Sequence, residues 1–344
     1  MILSRAPFRV TLGGGGTDLP AYYDKHGGFV LAMGLDKHMY LAVNPSMVDR
    51  HVRVLYTKTE TVNHPDELRH ELAREALKLH GVHSSIEIAS IADLPSGTGL
   101  GSSSCYLVGL LHALRAHLRQ FCSLEHLAEE AWRLEHQLGG PVGHHNSYSA
   151  VFGGMTVMEF APNGGVKVRP ARVKPSTLPD FIANTHLYFT GVRGGDPGIL
   201  RDRVEALRAG GESPAHQAVQ TNLHAIKDIG YAILEALETE NYDDFGLLMD
   251  RHWQAKKSMS SKVNLPGLDE LYQEVKDRFG VLGGKVSGVG GGGCILVYAP
   301  SKHRELTDFM QRRGLQRLHY GIDFEGVKVV SDISAPHQQQ RLVE

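Results

Sequence analysis

Apolar and polar positions alternate in a short strand leading into the glycines at 13–16, and strand-like runs follow at Phe29–Met33, Met39–Val43 and Val52–Tyr56, which predicts a strand-rich start to the chain. Glu67–Leu79 then has the spacing of an amphipathic helix, and Ile86, Ile88 and Ile91 give a short extended run. Leu107, Leu110, Leu111, Leu114 and Leu118 recur at helical spacing, followed by a second helix from Ser123 as N-cap to Gln137, ending at Gly139-Gly140. A strand Met155–Phe160 leads into a Pro-rich region, Pro162 to Pro179, which is the candidate domain junction. Beyond it come a strand His186–Thr190, a long helix opened by Ser213 and Pro214, a helix around Phe245 to Lys257, and a buried strand Cys294–Tyr298. The strand-rich start followed by helices predicts an α+β fold, and a length of 344 residues with this junction predicts two domains, 1–180 and 181–344, with a polar tail from Ser334 to Glu344.

Between the third strand-like isoleucine and the leucine-spaced helix lies Asp93-Leu94-Pro95-Ser96-Gly97-Thr98-Gly99-Leu100-Gly101-Ser102-Ser103-Ser104. Glycines at a strand-to-helix turn let backbone N–H groups approach an anion, the helix adds the positive end of its dipole, and the serines add hydroxyls. The stretch is therefore either a phosphate loop or an ordinary Gly/Ser turn. No Gly-Lys-Ser/Thr follows and the spacing is not G-x-G-x-x-G, which disfavours a Walker-type ATPase and a dinucleotide dehydrogenase. Glu135 falls on the apolar stripe with Ala128 and Ala131, where an ionised carboxylate needs a cation or strong hydrogen bonds. That cation is either a magnesium ion carrying nucleotide phosphates or a neighbouring Lys or Arg.

Composition narrows the partners. With 36 Lys+Arg against 38 Asp+Glu and no basic block, nucleic acid and anionic membrane surfaces are not expected ligands; a small molecule is. Cys105, Cys122 and Cys294 lack Cys-x-x-Cys spacing, and no signal-peptide-like or spanning apolar run occurs, so a cytoplasmic protein is expected. The 20 histidines include no His-Glu-x-x-His cluster.

Three other stretches carry candidate chemistry. Arg9 leads a strand into Gly13-Gly14-Gly15-Gly16-Thr17-Asp18, either a turn pressed against a sugar with Asp18 accepting from vicinal hydroxyls, or a hairpin with an exposed Asp. Arg193, in Gly191-Val192-Arg193-Gly194-Gly195-Asp196, either meets a sugar phosphate bidentately or is a solvated loop Arg. Gly283 to Gly293 is a second glycine-rich passage, either a closure against the phosphate loop or a tight turn needing positive φ.

Pro95 to Ser103 resembles the Pro-x-x-x-Gly-Leu-Gly-Ser-Ser signature of the GHMP sugar and mevalonate kinases. Residues 4–18 resemble that family's first motif and residues 283–293 its third, in the same order. Gly-Gly-Gly-Thr-Asp-Leu-Pro, Tyr22-Tyr23 and His252-Trp253-x-x-Lys256-Lys257 resemble the branch acting on heptose 7-phosphates, and Gly15-Gly16 departs from the Glu-His of galactokinases. The resemblance implies a first domain like ribosomal protein S5 domain 2 and a ferredoxin-like second domain, with the site between them. It implies ATP and Mg2+ as cofactors, and phosphorylation of the anomeric hydroxyl of a sugar phosphate. Nucleotide binding is expected from Pro95, Gly97, Gly99, Gly101, Ser102, Ser103 and Ser104, and metal binding from Ser103 and Glu135. Substrate binding falls to Gly14, Gly15, Gly16, Thr17, Asp18, Arg193 and Lys257, although a Lys pair on a helix is also the mark of a solvated face. Where heptose kinases read Gly-Lys-Gln-Asp-Gln-Tyr, this chain has Gly143-His144-His145-Asn146-Ser147-Tyr148, so Asn146 replaces the Asp assigned as base. Arg9, Asn146 and His145 are the expected catalytic residues, with His145 rather than His144 relaying the proton. The alternatives are a kinase for another sugar and a non-catalytic sugar or nucleotide sensor.

Overall fold

The computed structural model describes residues 1–194, 197–210, 213–263 and 265–333, so Gly195, Asp196 and the expected polar tail Ser334–Glu344 lie outside the described residues. The first part of the chain runs β1 (Ile2–Gly13), α1 (Pro20–His26), β2 (Gly28–Pro45), β3 (Val52–Leu55), β4 (Thr59–Val62), α2 (Glu71–Leu79) and β5 (Ile86–Ala92). It continues through α3 (Ser102–His117), α4 (Leu124–Gly139), α5 (His145–Phe152), β6 (Met155–Phe160), β7 (Val166–Pro170) and α6 (Leu178–Asn184). The second part runs β8 (Thr185–Phe189), α7 (Pro197–Ala209), α8 (Pro214–Glu238), α9 (Tyr242–Ser258) and α10 (Leu268–Phe279). It ends with β9 (Gly283–Val286), β10 (Cys294–Tyr298), α11 (His303–Arg312), β11 (Gln316–Leu318) and β12 (Lys328–Asp332).

An eight-stranded sheet of order β12-β1-β2-β5-β3-β4, with β6 on β2 and β7 on β6, forms the first layer. The runs Phe29–Met33 and Met39–Val43 are one strand: β2 spans 18 residues, pairing with β6 over its first half and β5 over its second. Buried Leu107, Leu110, Leu111 and Leu114 of α3 pack into the core beneath this sheet. The second sheet has order β11-β8-β10-β9, all neighbours antiparallel, which is the split βαββαβ order of a ferredoxin-like sandwich with several helices in its first crossover. A separate core around Trp253, Tyr188, Val275 and Phe309 fills that layer.

The chain does not simply divide at residue 180. Strand β12 returns to pair antiparallel with β1, so the second half contributes a strand to the first sheet. Helix α8 also lies against the first domain, with the ring of Phe29 4.0 Å from that of Tyr231.

Local differences from the sequence pattern have local causes. Helix α2 begins at Glu71 rather than Glu67 because the Glu60 carboxylate accepts the N–H groups of Arg69 (2.7 Å) and His70 (3.1 Å), and the His70 ring then caps Ala73 N–H at 3.3 Å. Ser123 and Ser213 do cap α4 and α8, accepting from His126 N–H (3.1 Å) and His216 N–H (3.2 Å). Short α5 carries too few turns to give a helical period, and residues 150–152 read instead as the approach to a strand.

Candidate active site

Period-two alternation puts Arg9 and Thr11 of β1 on one face, with Phe8, Val10 and Leu12 on the other. That polar face looks into a cleft between the two sheets, lined also by Gly15, Gly16, Asp18, Gly143, His145, Asn146, Arg203, His252, Lys256, Lys285 and residues 286–289.

The Gly/Ser stretch turns into α3, whose N-cap is Gly101 at φ 86°. Gly99 has φ 74°, and a Cβ there would stand 2.7 Å from Ser287 O. The second glycine passage and the residue after it therefore do close on this loop, Ser287 Oγ donating to Gly99 O at 3.0 Å and Cys294 N–H to Thr98 O at 2.9 Å, and the Arg193 loop joins them with Gly194 N–H donating to Gly97 O at 2.9 Å. Pro95 and Ser103 stay exposed, so the outer face of the loop and the first turn of α3 are open to a ligand.

Glu135 and Ser103 come together as their spacing suggested. Ser103 Oγ donates to Glu135 Oε1 at 2.5 Å and Ser104 Oγ to Glu135 Oε2 at 2.6 Å, and no Lys or Arg pairs with Glu135 among the described residues. Burial raises the Glu135 carboxyl above its ordinary range, against the two serine hydrogen bonds and the more distant charge of Arg9. A buried carboxylate supported by hydroxyls alone, beside an exposed Ser, is an oxygen donor set that suits a hard divalent cation sharing its remaining positions with phosphate oxygens.

Arg9 ties this loop to the centre of the cleft. Its Nη1 donates to Gly99 O at 2.9 Å, while Nε (3.1 Å) and Nη2 (2.6 Å) both donate to Asn146 Oδ1 at the start of α5. With that oxygen doubly occupied, the Asn146 NH₂ is the part left to meet a ligand.

His145 lies in a chain of three side chains. Its Nδ1 is 2.5 Å from Asp18 Oδ2 and its Nε2 is 2.9 Å from Thr11 Oγ1. Asp18 also accepts the backbone N–H groups of His145 and Gly16, each at 3.0 Å. Burial alone would raise the Asp18 carboxyl, but the His145 ring and these N–H groups hold it well below the usual carboxylate range. Burial lowers His145, against the pull of Asp18. The ring is thereby set with Nδ1–H toward Asp18 and an Nε2 lone pair toward Thr11. His144 has no part in this: it is buried, its ring 3.4 Å from that of Trp132.

Other expected substrate residues are distributed differently. Gly15, Gly16 and Asp18 line the cleft, with Asp18 directed at His145. Thr17 is internal to the turn, its Oγ1 2.8 Å from the carbonyls of Gly14 and Phe29. Arg193 is exposed and its loop flanks Gly97, at the mouth of the phosphate loop. Lys257 donates to Asp269 at 2.8 Å outside the cleft lining, and its neighbour Lys256 enters the cleft instead. The reason is helical geometry: Lys256 follows His252 by four residues on the face of α9 turned inward. Sequence reasoning missed Thr11, Arg203, His252 and Lys285. The i,i+4 pair His252/Lys256 on an otherwise apolar face was the available signal, whereas Arg203 and Lys285 carried none.

The chain matches the family models for the GHMP kinases N terminal domain at residues 67–154 and the GHMP kinases C terminal at residues 233–314. It is 28% identical to the D-glycero-alpha-D-manno-heptose 7-phosphate kinase of Campylobacter jejuni, covering 95% of this chain and 98% of that one. The crystal structure of a D-glycero-D-manno-heptose 1-phosphate kinase from Bacteroides thetaiotaomicron superposes with TM-score 0.78 at 21% identity, over 97% of this chain and 100% of that one. Lactococcus lactis galactokinase complexed with galactose shares the fold at TM-score 0.75 and 16% identity, over 96% and 95% of the two chains.

Proposed function

The chain is a GHMP kinase in both of its domains, and from that premise we propose that it transfers the terminal phosphoryl group of ATP to the anomeric hydroxyl of a heptose 7-phosphate. The product is the 1,7-bisphosphate, a precursor for nucleotide-activated heptose in polysaccharide synthesis, made in the cytoplasm where ATP is supplied. The heptose is taken from the Campylobacter relative and the branch signature. The observation that carries phosphoryl transfer is the Arg9 guanidinium, bonded at once to the phosphate loop and to the residue beside the acceptor.

In this reading residues 95–104 hold the nucleotide phosphates with backbone N–H groups and the N-terminus of α3. Ser103 and Glu135 would hold Mg2+, which supplies charge neutralisation for the phosphates. Arg9 stabilises charge on the transferring group, and the Asn146 NH₂ orients the acceptor oxygen. As that oxygen forms its bond to the γ-phosphorus and the bond to the ADP oxygen breaks, its proton passes to Thr11 Oγ1. The Thr11 proton moves to Nε2 of His145, and Asp18 balances the resulting imidazolium. Late proton removal suits a loose transition state, and an anomeric hydroxyl is more acidic than an ordinary alcohol.

Phosphorus NMR of ATP with heptose 7-phosphate tests the reading: a 1,7-bisphosphate signal is expected from the wild type. His145→Ala and Thr11→Val are expected to lower kcat by about 10²-fold or more, the usual worth of a proton-transfer group. No transfer by the wild type, with transfer gained in Asn146→Asp, would establish a sugar sensor in place of a kinase.

A further inference from the structure

We propose that Arg203, His252, Lys256 and Lys285 form a subsite for the phosphate monoester that the sugar already carries, separate from the loop that holds the phosphoryl donor. The inference rests on the sugar-kinase reading and gives a chemical identity to the far wall of the same cleft. Arg203 comes from α7, His252 and Lys256 from α9, and Lys285 from β9, so three elements of the second domain converge there. All four side chains are buried, at 6%, 2%, 7% and 3% exposure, among residues that line the cleft.

Their protein partners do not balance them. Lys256 Nζ donates to the carbonyls of Val286 (3.0 Å) and Gly288 (2.6 Å), and Lys285 Nζ to that of Leu12 (3.1 Å), all neutral acceptors. An ammonium has three N–H groups, so donors remain on both. Arg203 Nη2 and both ring nitrogens of His252 have no hydrogen-bond partner among the described residues. Asp18 is the one carboxylate among the cleft-lining residues, and its oxygens are engaged by His145 and Gly16. Buried cations without counter-charge are strongly unfavourable, and a dianion with several acceptor oxygens removes that imbalance. A carboxylate offers two coplanar oxygens; donors arriving from three elements match the three free oxygens of a phosphate monoester better.

The wall is also built to fit. Gly16 stands where a Cβ would come 2.8 Å from Arg203 Nη1, so the substrate turn makes room for the guanidinium beside Asp18. Arg203 and Lys256 influence one another electrostatically, as do Lys256 and Lys285, and His252 feels all three. Burial, with Arg203 and Arg9 beside it, brings Lys256 down to about 7, as expected of an ammonium waiting for an anion.

The test compares heptose 7-phosphate with unphosphorylated heptose. Lys256→Met and Arg203→Met are each expected to raise KM for the 7-phosphate about 10- to 100-fold, as for loss of one charge-assisted partner, with KM for ATP changed less than about twofold. The preference for the phosphorylated sugar in kcat/KM should collapse with them, and Lys256→Arg should restore part of it. Parallel loss of ATP affinity would assign the residues to the nucleotide, and an unchanged preference would make them structural; either overturns the proposal. Calorimetry on the wild type without ATP guards against variants that do not fold: the 7-phosphate should bind and the free sugar should not, and equal binding refutes the subsite. If the wild type binds the 7-phosphate but transfers nothing to it, the kinase reading fails while the subsite stands.

Discussion

In the proposed reading the two walls of the cleft meet anions by opposite means. The first-domain wall is made of glycines, serines and a helix N-terminus, with no cationic side chain of its own in residues 93–104, and would bind through fixed dipoles that need no counter-charge when empty. The second-domain wall presents basic side chains, Arg203, Lys256 and Lys285, held out of water, the two lysines on neutral carbonyls. A dipolar wall suits a group that leaves in each turnover, because its cost when vacated is small. A charged wall suits a group that decides which molecule is admitted. Arg9 stands between them and is the one residue bonded to the loop that also acts electrostatically on Lys256 and Lys285.

The largest effect should follow from removing that joint. Arg9→Met is expected to lower kcat by about 10²- to 10³-fold, the usual loss for a group that stabilises developing charge, with smaller changes in either KM. An equal kcat loss in Lys256→Met would dissolve the distinction between the walls. Glu135→Gln tests the dipolar side: turnover should fall roughly 10- to 100-fold and the Mg2+ concentration for half-activity should rise, while KM for the sugar phosphate holds. Unchanged metal dependence would remove Glu135 from that role.

The charged side is sharpened by pH. Lys256 lies near 7 folded against an ordinary 10.5, and burial lowers Lys285 well below the same value. Between pH 7 and 9 the unfolded chain therefore binds more protons, and stability of the unliganded protein should rise with pH across that window. His252, also lowered by burial, extends the same trend below its ordinary 6.5, and Asp18, held low, adds to it only in acid; burial lowers Arg203 to about 10, above that window. Thermal melts at pH 7 and 9 check the slope, which saturating sugar phosphate or Lys256→Met should flatten. A slope that survives both would place its origin elsewhere. The smallest effect is expected at Lys257, whose partner is Asp269: Lys257→Ala should change KM for the sugar phosphate by less than about twofold.

The walls differed as much in how far they could be read from the sequence. The dipolar wall is contiguous, so Pro95 to Ser104 disclosed it directly, and Glu135 stood out as a carboxylate on an apolar stripe. The charged wall is gathered from residues 203 to 285 by packing of α7, α9 and β9, and only tertiary structure brings it together. Choosing between Lys256 and Lys257 required the rotational setting of α9, which the burial of Trp253 and His252 determines. The Asp18–His145–Thr11 chain crosses three separate segments; His145 was visible as the neighbour of Asn146, but Thr11 alternates with core residues on a strand and gave no sign. The two-domain α+β architecture followed from the order of strand and helix patterns, while the return of β12 did not, because its five residues carry no mark of their partner.

That return has a consequence for how the protein is made. Until residues 328–332 leave the ribosome, the Ile2–Arg5 end of β1, the strand that further on bears Arg9 and Thr11, has one edge of its backbone unpaired. At ordinary elongation rates the wait between β1 and β12 is roughly 15 to 60 s, during which that end of the strand is an open template for other chains. The nascent first domain should thus be a client of chaperones that shield strand edges. Chains truncated before Lys328 should aggregate through that same edge, however intact the phosphate loop remains.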